Sequence, residues 1–200
     1  MATKHKKAPK IKIMVASTVY HFEDQLNQLC AVLRGFGYEV WNSHIGTIPV
    51  HPGLSNLENC VAAARDCDVF LGIIRPFYGS GKVGSQSITH KEFLQAIKSG
   101  KPRWFIVHRD VIFARQLLKP FMFDENNLRT AFQLKKNSVM DDLRVIDMYN
   151  DAIQTDIAIE ERKGHWAQEF YRLDEALIYI ESQFNNPERI QAICREMKTP

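Results

Sequence analysis

Short apolar runs alternate with stretches of helical period through the first half of this 200-residue chain, and that alternation restricts its fold most. "IKIMVAS" (11–17), "YEVWNS" (38–43), "DVFLGII" (68–74) and "PRWFIVH" (102–108) read as strands, the third being the most hydrophobic. Between them, Phe22, Leu26, Leu29, Cys30 and Leu33 share one helical face that Gly35 and Gly37 bring to an end. Ser55-x-x-Glu58 is a capping box opening a second helix that runs to about Asp66. A third helix carries Glu92 and stops at Gly100. Strands alternating with helices imply a parallel sheet covered on both faces and joined by right-handed crossovers.

The second half is expected to continue the pattern. Residues 110–140 read as helical with a break at Pro120, and "LRVIDMY" (143–149) as a fifth strand. From Trp166, apolar residues recur in steps of four and three through Phe170, Leu173, Leu177, Ile180 and Phe184, a helical seam expected to pack on the domain itself. Asn186-Pro187 restarts a last helix with proline at its first position. The expected architecture is a doubly wound, flavodoxin-like α/β domain of about five strands in the order 2-1-3-4-5. Its anticipated parts are a disordered basic tail (1–10), the α/β domain (11–150) and a helical C-terminal extension (151–200).

Charge and composition exclude several functions. The formal net charge is +3, yet Lys4, Lys6, Lys7 and Lys10 supply +4, leaving 22 basic against 23 acidic residues elsewhere. A short solvated tail accounts for the excess, so a nucleic-acid-binding face is not expected. No run approaches the roughly 18 apolar residues of a membrane span, and the N-terminus lacks the apolar core of a signal peptide, so a cytoplasmic location is expected. Cys30, Cys60, Cys67 and Cys194 form no C-x-x-C pair and are expected to be buried, reduced thiols. The seven histidines show no metal-binding spacing, and no metal is expected.

In an open parallel sheet, ligands bind outside the carboxyl ends of the strands, where the strand order reverses. Here that is between strands one and three, where "STVYHF" meets "RPFYGSGKVGSQS". Ser17 and Thr18 offer hydroxyls near a helix start, suited to phosphate, with Tyr20 in the same loop. Gly79, Gly81 and Gly84 permit close backbone approach, although their spacing fits neither a Walker loop nor the dinucleotide fingerprint. Ser87 closes that loop. Phe77, Tyr78 and Trp41 are candidates for stacking on a base or nicotinamide ring. The long loop after strand two is a candidate lid. Glu92 has two readings: Thr89 as N-cap with Glu92 as its reciprocal partner, or a carboxylate projecting from the first helical turn into the crevice.

Together, "KIMVASTVYHFEDQ", "GYEVW", "NLENCVAAARDCDVFLGIIRPFYGS" and "SITHKEFLQAIKSGKPRWFIV" resemble a TIR-like family catalogued as a domain of unknown function. "GHWAQEFYRLDEALIYIESQF" looks like the tail of its stand-alone bacterial members. The wider group includes TIR domains and nucleoside 2-deoxyribosyltransferases, in which a glutamate on the helix after the third strand acts at a ribosyl carbon. The corresponding residue is Glu92, in the pattern E-x-x-x-A ahead of "GKP". The resemblance implies an NAD glycohydrolase or cyclase in defence or nucleotide signalling, with Glu92 catalytic and Ser17, Thr18 and the loop from Tyr78 to Ser87 holding the ligand. NAD would be a substrate, with no separate cofactor, and a homo-oligomer is a possible assembly. Two alternatives stay open: a non-catalytic nucleotide-sensing or assembly module, and a deoxyribosyltransferase. Neutral purine substrates need a second acid, for which Asp24 is the candidate.

Overall fold

Gly72 sits where a side chain has no room: a Cβ there would lie 2.5 Å from Cζ of Phe93 and 2.7 Å from Cδ1 of Phe105. Around it is built the sheet of the computed structural model, which describes residues 10–79, 86–126, 128–135 and 137–197. Strands β1 (Lys12–Ser17), β2 (Glu39–Trp41), β3 (Val69–Ile74), β4 (Arg103–His108) and β5 (Ala167–Phe170) are ordered β2-β1-β3-β4-β5. Every neighbouring pair is parallel. The expected strand order therefore holds, and β3 is buried at all six positions, as an inner parallel strand must be.

Alternate residues of the strands feed two cores. On one face, Ile13, Val15, Leu71, Ile73 and Ile106 meet α1 (Glu23–Gly35), α6 (Leu173–Phe184) and α7 (Pro187–Glu196). Tyr38 joins this layer by donating its hydroxyl to the Phe184 carbonyl at 2.8 Å. On the other, Met14, Ala16, Phe70, Phe105 and Val107 meet α2 (Asn56–Asp66), α3 (Ile88–Lys98) and α5 (Arg144–Ala152). Phe93 stacks on Phe105 and meets Phe70 edge-on directly over Gly72, so α3 lies close against the sheet. The Ser55–Glu58 capping box and the Asn186 cap with Pro187 at the first turn both form as expected. All four cysteines are free and buried.

Three expectations for the second half are corrected. Residues 143–149 are not a strand: Arg144–Ala152 is helical and buries Val145, Ile146, Met148 and Ala152, a 3.6-residue spacing. The fifth strand is Ala167–Phe170, so Trp166 and Phe170 belong to a strand and its approach, and the helical seam starts only at Leu173. Residues 110–140 are helical only as α4 (Arg109–Met122), which carries Pro120 in its last turn. Beyond it the chain turns at Asp124, whose carboxylate accepts the Asn126 and Leu128 amides, and pairs Phe123 with Arg129. Residue 150 falls within α5, and the segment after it supplies β5. The tail (1–9) lies outside the described residues. No described helix is long and apolar enough to cross a membrane.

Candidate functional site

Ser17 ends β1, and the chain then turns through Thr18–Phe22, with His21 at φ 55°, before entering α1. Arg75, just past β3, holds this turn: its guanidinium donates to the carbonyls of Thr18 (3.3 Å), Tyr20 (2.7 Å) and His21 (3.3 Å). The same group lies over Phe22 at 4.3 Å and beside Phe77 at 5.4 Å. Burial lowers its pKa to about 10, leaving it a cation at neutral pH. Gly79 follows with φ 92°, and a Cβ there would come within 3.2 Å of the Thr18 hydroxyl, so the two loops close on one another.

The start of α3 differs from the expected capping box. Ser87 is the N-cap, its hydroxyl accepting the His90 amide at 3.2 Å. Helix α3 therefore begins before Thr89, and Glu92 sits beyond the reach of a cap. Tyr78 sets this start. Its hydroxyl accepts the Ser87 amide at 3.2 Å and is 2.7 Å from Nδ1 of His90, whose Nε2 lies 2.7 Å from the Asp151 carboxylate.

Freed from capping, the Glu92 side chain lies beside the Cys60 thiol of α2 and is 3% exposed. Burial raises its pKa from 4.5 to about 7, against a smaller downward pull from Cys60. The thiol in turn is pushed up to about 12, first by burial and then by the Glu92 charge. Cys60 is thus a neutral neighbour and no nucleophile at physiological pH.

Glu92 and Cys60 form part of the wall of a cavity of about 1200 Å³ at the carboxyl ends of β1 and β3. Six of the residues expected at the site line it: Ser17, Thr18, Tyr20, Phe77, Gly79 and Glu92. Ser17 donates its hydroxyl to the Thr18 carbonyl at 3.1 Å, while Oγ1 of Thr18 is buried without a hydrogen-bond partner. The loop after β2 forms the opposite wall through Gly46, Ile48 and Val50. It is tied down by Asn42, which donates to the Val15 carbonyl, and by Asn59, which accepts the His51 amide.

Three expected ligand contacts lie elsewhere. Trp41 is buried in the sheet core, donating Nε1 to Glu39 at 2.7 Å with Lys12 above its ring. Tyr78 is wholly buried and Ser87 is the helix cap, so neither faces the cavity. Gly81 and Gly84 lie outside the described residues. Asp24, the expected second acid, is absent from the lining, where Asp141 stands instead, accepting the Tyr78 amide at 2.7 Å.

Sequence reasoning missed Arg75, Cys60, Asn59 and Asp141, which reach the site only through tertiary packing. Among the described lining residues there are two carboxyl groups and no lysine or arginine. Among the described residues, no cluster of histidine, cysteine, aspartate and glutamate is arranged for a metal ion. Chemically, the site offers a carboxyl group that exchanges its proton near neutrality, in a cavity wide enough for a nucleotide.

No curated protein matches the chain. The family catalogued as Domain of unknown function (DUF4062) matches residues 12–163, from the start of β1 to just before β5, a stretch that contains every wall of the cavity, and the chain belongs to that family.

Proposed function

We propose that this protein cleaves the N-glycosidic bond between nicotinamide and ribose in NAD, with Glu92 as the catalytic carboxylate. The observation that carries the reading is the desolvated Glu92 carboxyl, left free by the Ser87 cap, in the wall of a cavity at the switch point of the sheet. Its chemistry suits a cationic leaving group. As the C1′–N bond breaks, the electron pair returns to the pyridinium nitrogen and nicotinamide departs neutral, so no acid is required. Glu92 in its ionised form faces the positive charge that develops on the ribosyl carbon. Water then attacks C1′ and gives up a proton, yielding ADP-ribose.

The electrostatics favour the same substrate. A pyridinium in the cavity stabilises ionised Glu92 and draws its pKa down from about 7, whereas a neutral ligand leaves the carboxyl half protonated at neutral pH. Asp141 supports a second reading, transfer of a deoxyribosyl group, because a second carboxyl group in the cavity can protonate a departing purine.

The test is nicotinamide release from NAD by concentrated protein across pH 5.5–8.5, beside Glu92→Gln. Release with kcat/KM rising as pH passes about 7, and falling by at least ~100-fold in the variant, is the expected result. Base exchange between deoxynucleosides without nicotinamide release would favour the second reading. Equal rates in wild type and variant would remove Glu92 from the chemistry.

A further inference from the structure

Beside the Glu92 cavity lies a second, smaller one of about 370 Å³, with His21, Phe77 and Ser138 as a shared wall. It sits outside the carboxyl ends of β3, β4 and β5, among Arg75, His108 and Tyr171, which end or follow those strands. Much of its wall is apolar, through Phe22, Pro76, Phe170 and Leu173. The large cavity has no lysine or arginine among its described lining residues, whereas the small one has Arg75.

Arg75 is the residue that the fold leaves unfinished. It is 8% exposed, and a charge so buried ordinarily has an anion beside it. Its hydrogen bonds run instead to the carbonyls of Thr18, Tyr20 and His21, and among the described residues no carboxylate pairs with it. Those bonds draw on Nη1 twice and on Nη2 once. Nε and the second Nη2 hydrogen remain, neighbouring donors able to meet two oxygens of a phosphate side-on.

Helix α1 starts at the same place. Phe22 and Gln25 line the cavity, and Phe22, as N-cap, has no side-chain atom to accept an amide. The amides of Asp24 and Gln25 belong to the first turn, where intrahelical acceptors are missing and the helix end is positive. The Gln25 carboxamide adds a further donor. Two acids stand nearby. Asp110 lies 3.4 Å from Nδ1 of His108, and Glu23, which faces Arg75 from α1, is exposed and held by the amides of Glu23 and Phe22.

We propose that this second cavity binds a phosphate group, free or at the end of a small organic ester, between the open edge of Arg75 and the first turn of α1. The volume is at the small end of ligand pockets, and its apolar wall leaves room for an organic part. Nothing in the site depends on the Glu92 chemistry.

Titration of the full chain with inorganic phosphate, followed by amide NMR shifts at low ionic strength, tests it. The expected Kd is on the order of 1 mM. Arg75 also holds the turn after β1, so the variants leave it in place. Gln25→Glu adds a negative charge to the cavity at a helical position that favours acids, and should weaken binding about 5-fold or more without loss of fold. Glu23→Gln removes the acid facing Arg75 and should tighten binding about 2- to 3-fold. Phenyl phosphate as a second probe separates the sources: binding about 10-fold tighter than inorganic phosphate identifies an organic ester, and equal binding identifies the free ion. No saturable shift with either probe up to about 20 mM would overturn the proposal. Binding that neither charge change alters would place the phosphate elsewhere and overturn it as well.

Discussion

Replacing Glu92 by glutamine should make the protein more stable at alkaline pH, and by an amount that burial fixes. Below about pH 4.5 the carboxyl is protonated in the folded and unfolded chains alike, and burying it costs little. Between 4.5 and about 7 the unfolded chain releases the proton while the folded chain retains it, so stability falls as pH rises. Above about 7 the folded chain also ionises and the loss levels off. The full span of about 2.5 pH units corresponds to at most roughly 3 kcal/mol. Glutamine keeps the shape, can accept from Cys60, and has no proton to lose. Urea unfolding of wild type and Glu92→Gln at pH 5 and 8.5 isolates the effect, since the other carboxylates cancel in the difference. At pH 5 the variant should lead by no more than about 1 kcal/mol, the unfolded chain having already begun to ionise, and at pH 8.5 by about 1–3 kcal/mol, a Tm increase of roughly 2–12 °C. A capping carboxylate would behave oppositely, with its replacement costing about 1 kcal/mol at pH 8.5. That loss, or a pH-independent difference, would refute the assignment of Glu92 as a buried, uncommitted acid.

Two further substitutions probe the framework. Ser87→Ala should cost about 1 kcal/mol in the same urea assay, because the His90 amide loses its acceptor, whereas Thr89→Ala should change stability by less than about 0.5 kcal/mol. Gly72→Ala should cost about 2–3 kcal/mol or more, since its methyl group would meet the Phe93 and Phe105 rings well inside contact distance, and thermal unfolding reads this directly.

The first four strands and three helices were legible because their signals are local. "DVFLGII" is a short apolar run of strand length, and Ser55-x-x-Glu58 stands directly ahead of a stretch of helical period. The fifth strand was not legible, because "AQEF" buries Phe170 alone and is recruited by pairing with β4, a contact across some 60 residues. "LRVIDMY" failed for a related reason. Its apolar residues fit both a two-residue and a 3.6-residue period, and what decides between them is that Val145, Met148 and Ala152 all find the core beneath α5. Pro120 also misled: near the end of a helix it removes one backbone bond without ending α4, which runs on to Met122.

The position of Glu92 was legible, but its freedom was not. Both Ser87-x-x-His90 and Thr89-x-x-Glu92 have the spacing of a helix cap, and nothing in the intervening residues chooses between them. Tyr78 chooses. By taking the Ser87 amide and the His90 imidazole on one buried hydroxyl, it starts the helix early and carries Glu92 past the capping position. The stacking role read into Tyr78 from its sequence neighbourhood is thus replaced by one that acts through the helix. Asp151 extends that hold from α5, and Gly72, by letting Phe93 settle on the sheet, sets the depth of the same helix. With its start and its depth fixed by other residues, α3 delivers Glu92 to the cavity wall beside Cys60. An acid so placed weakens the folded state above neutral pH and contributes nothing to holding the helix together. A carboxyl group held at that cost, with three separate contacts fixing its helix, is what the proposed cleavage of a cationic nucleotide requires.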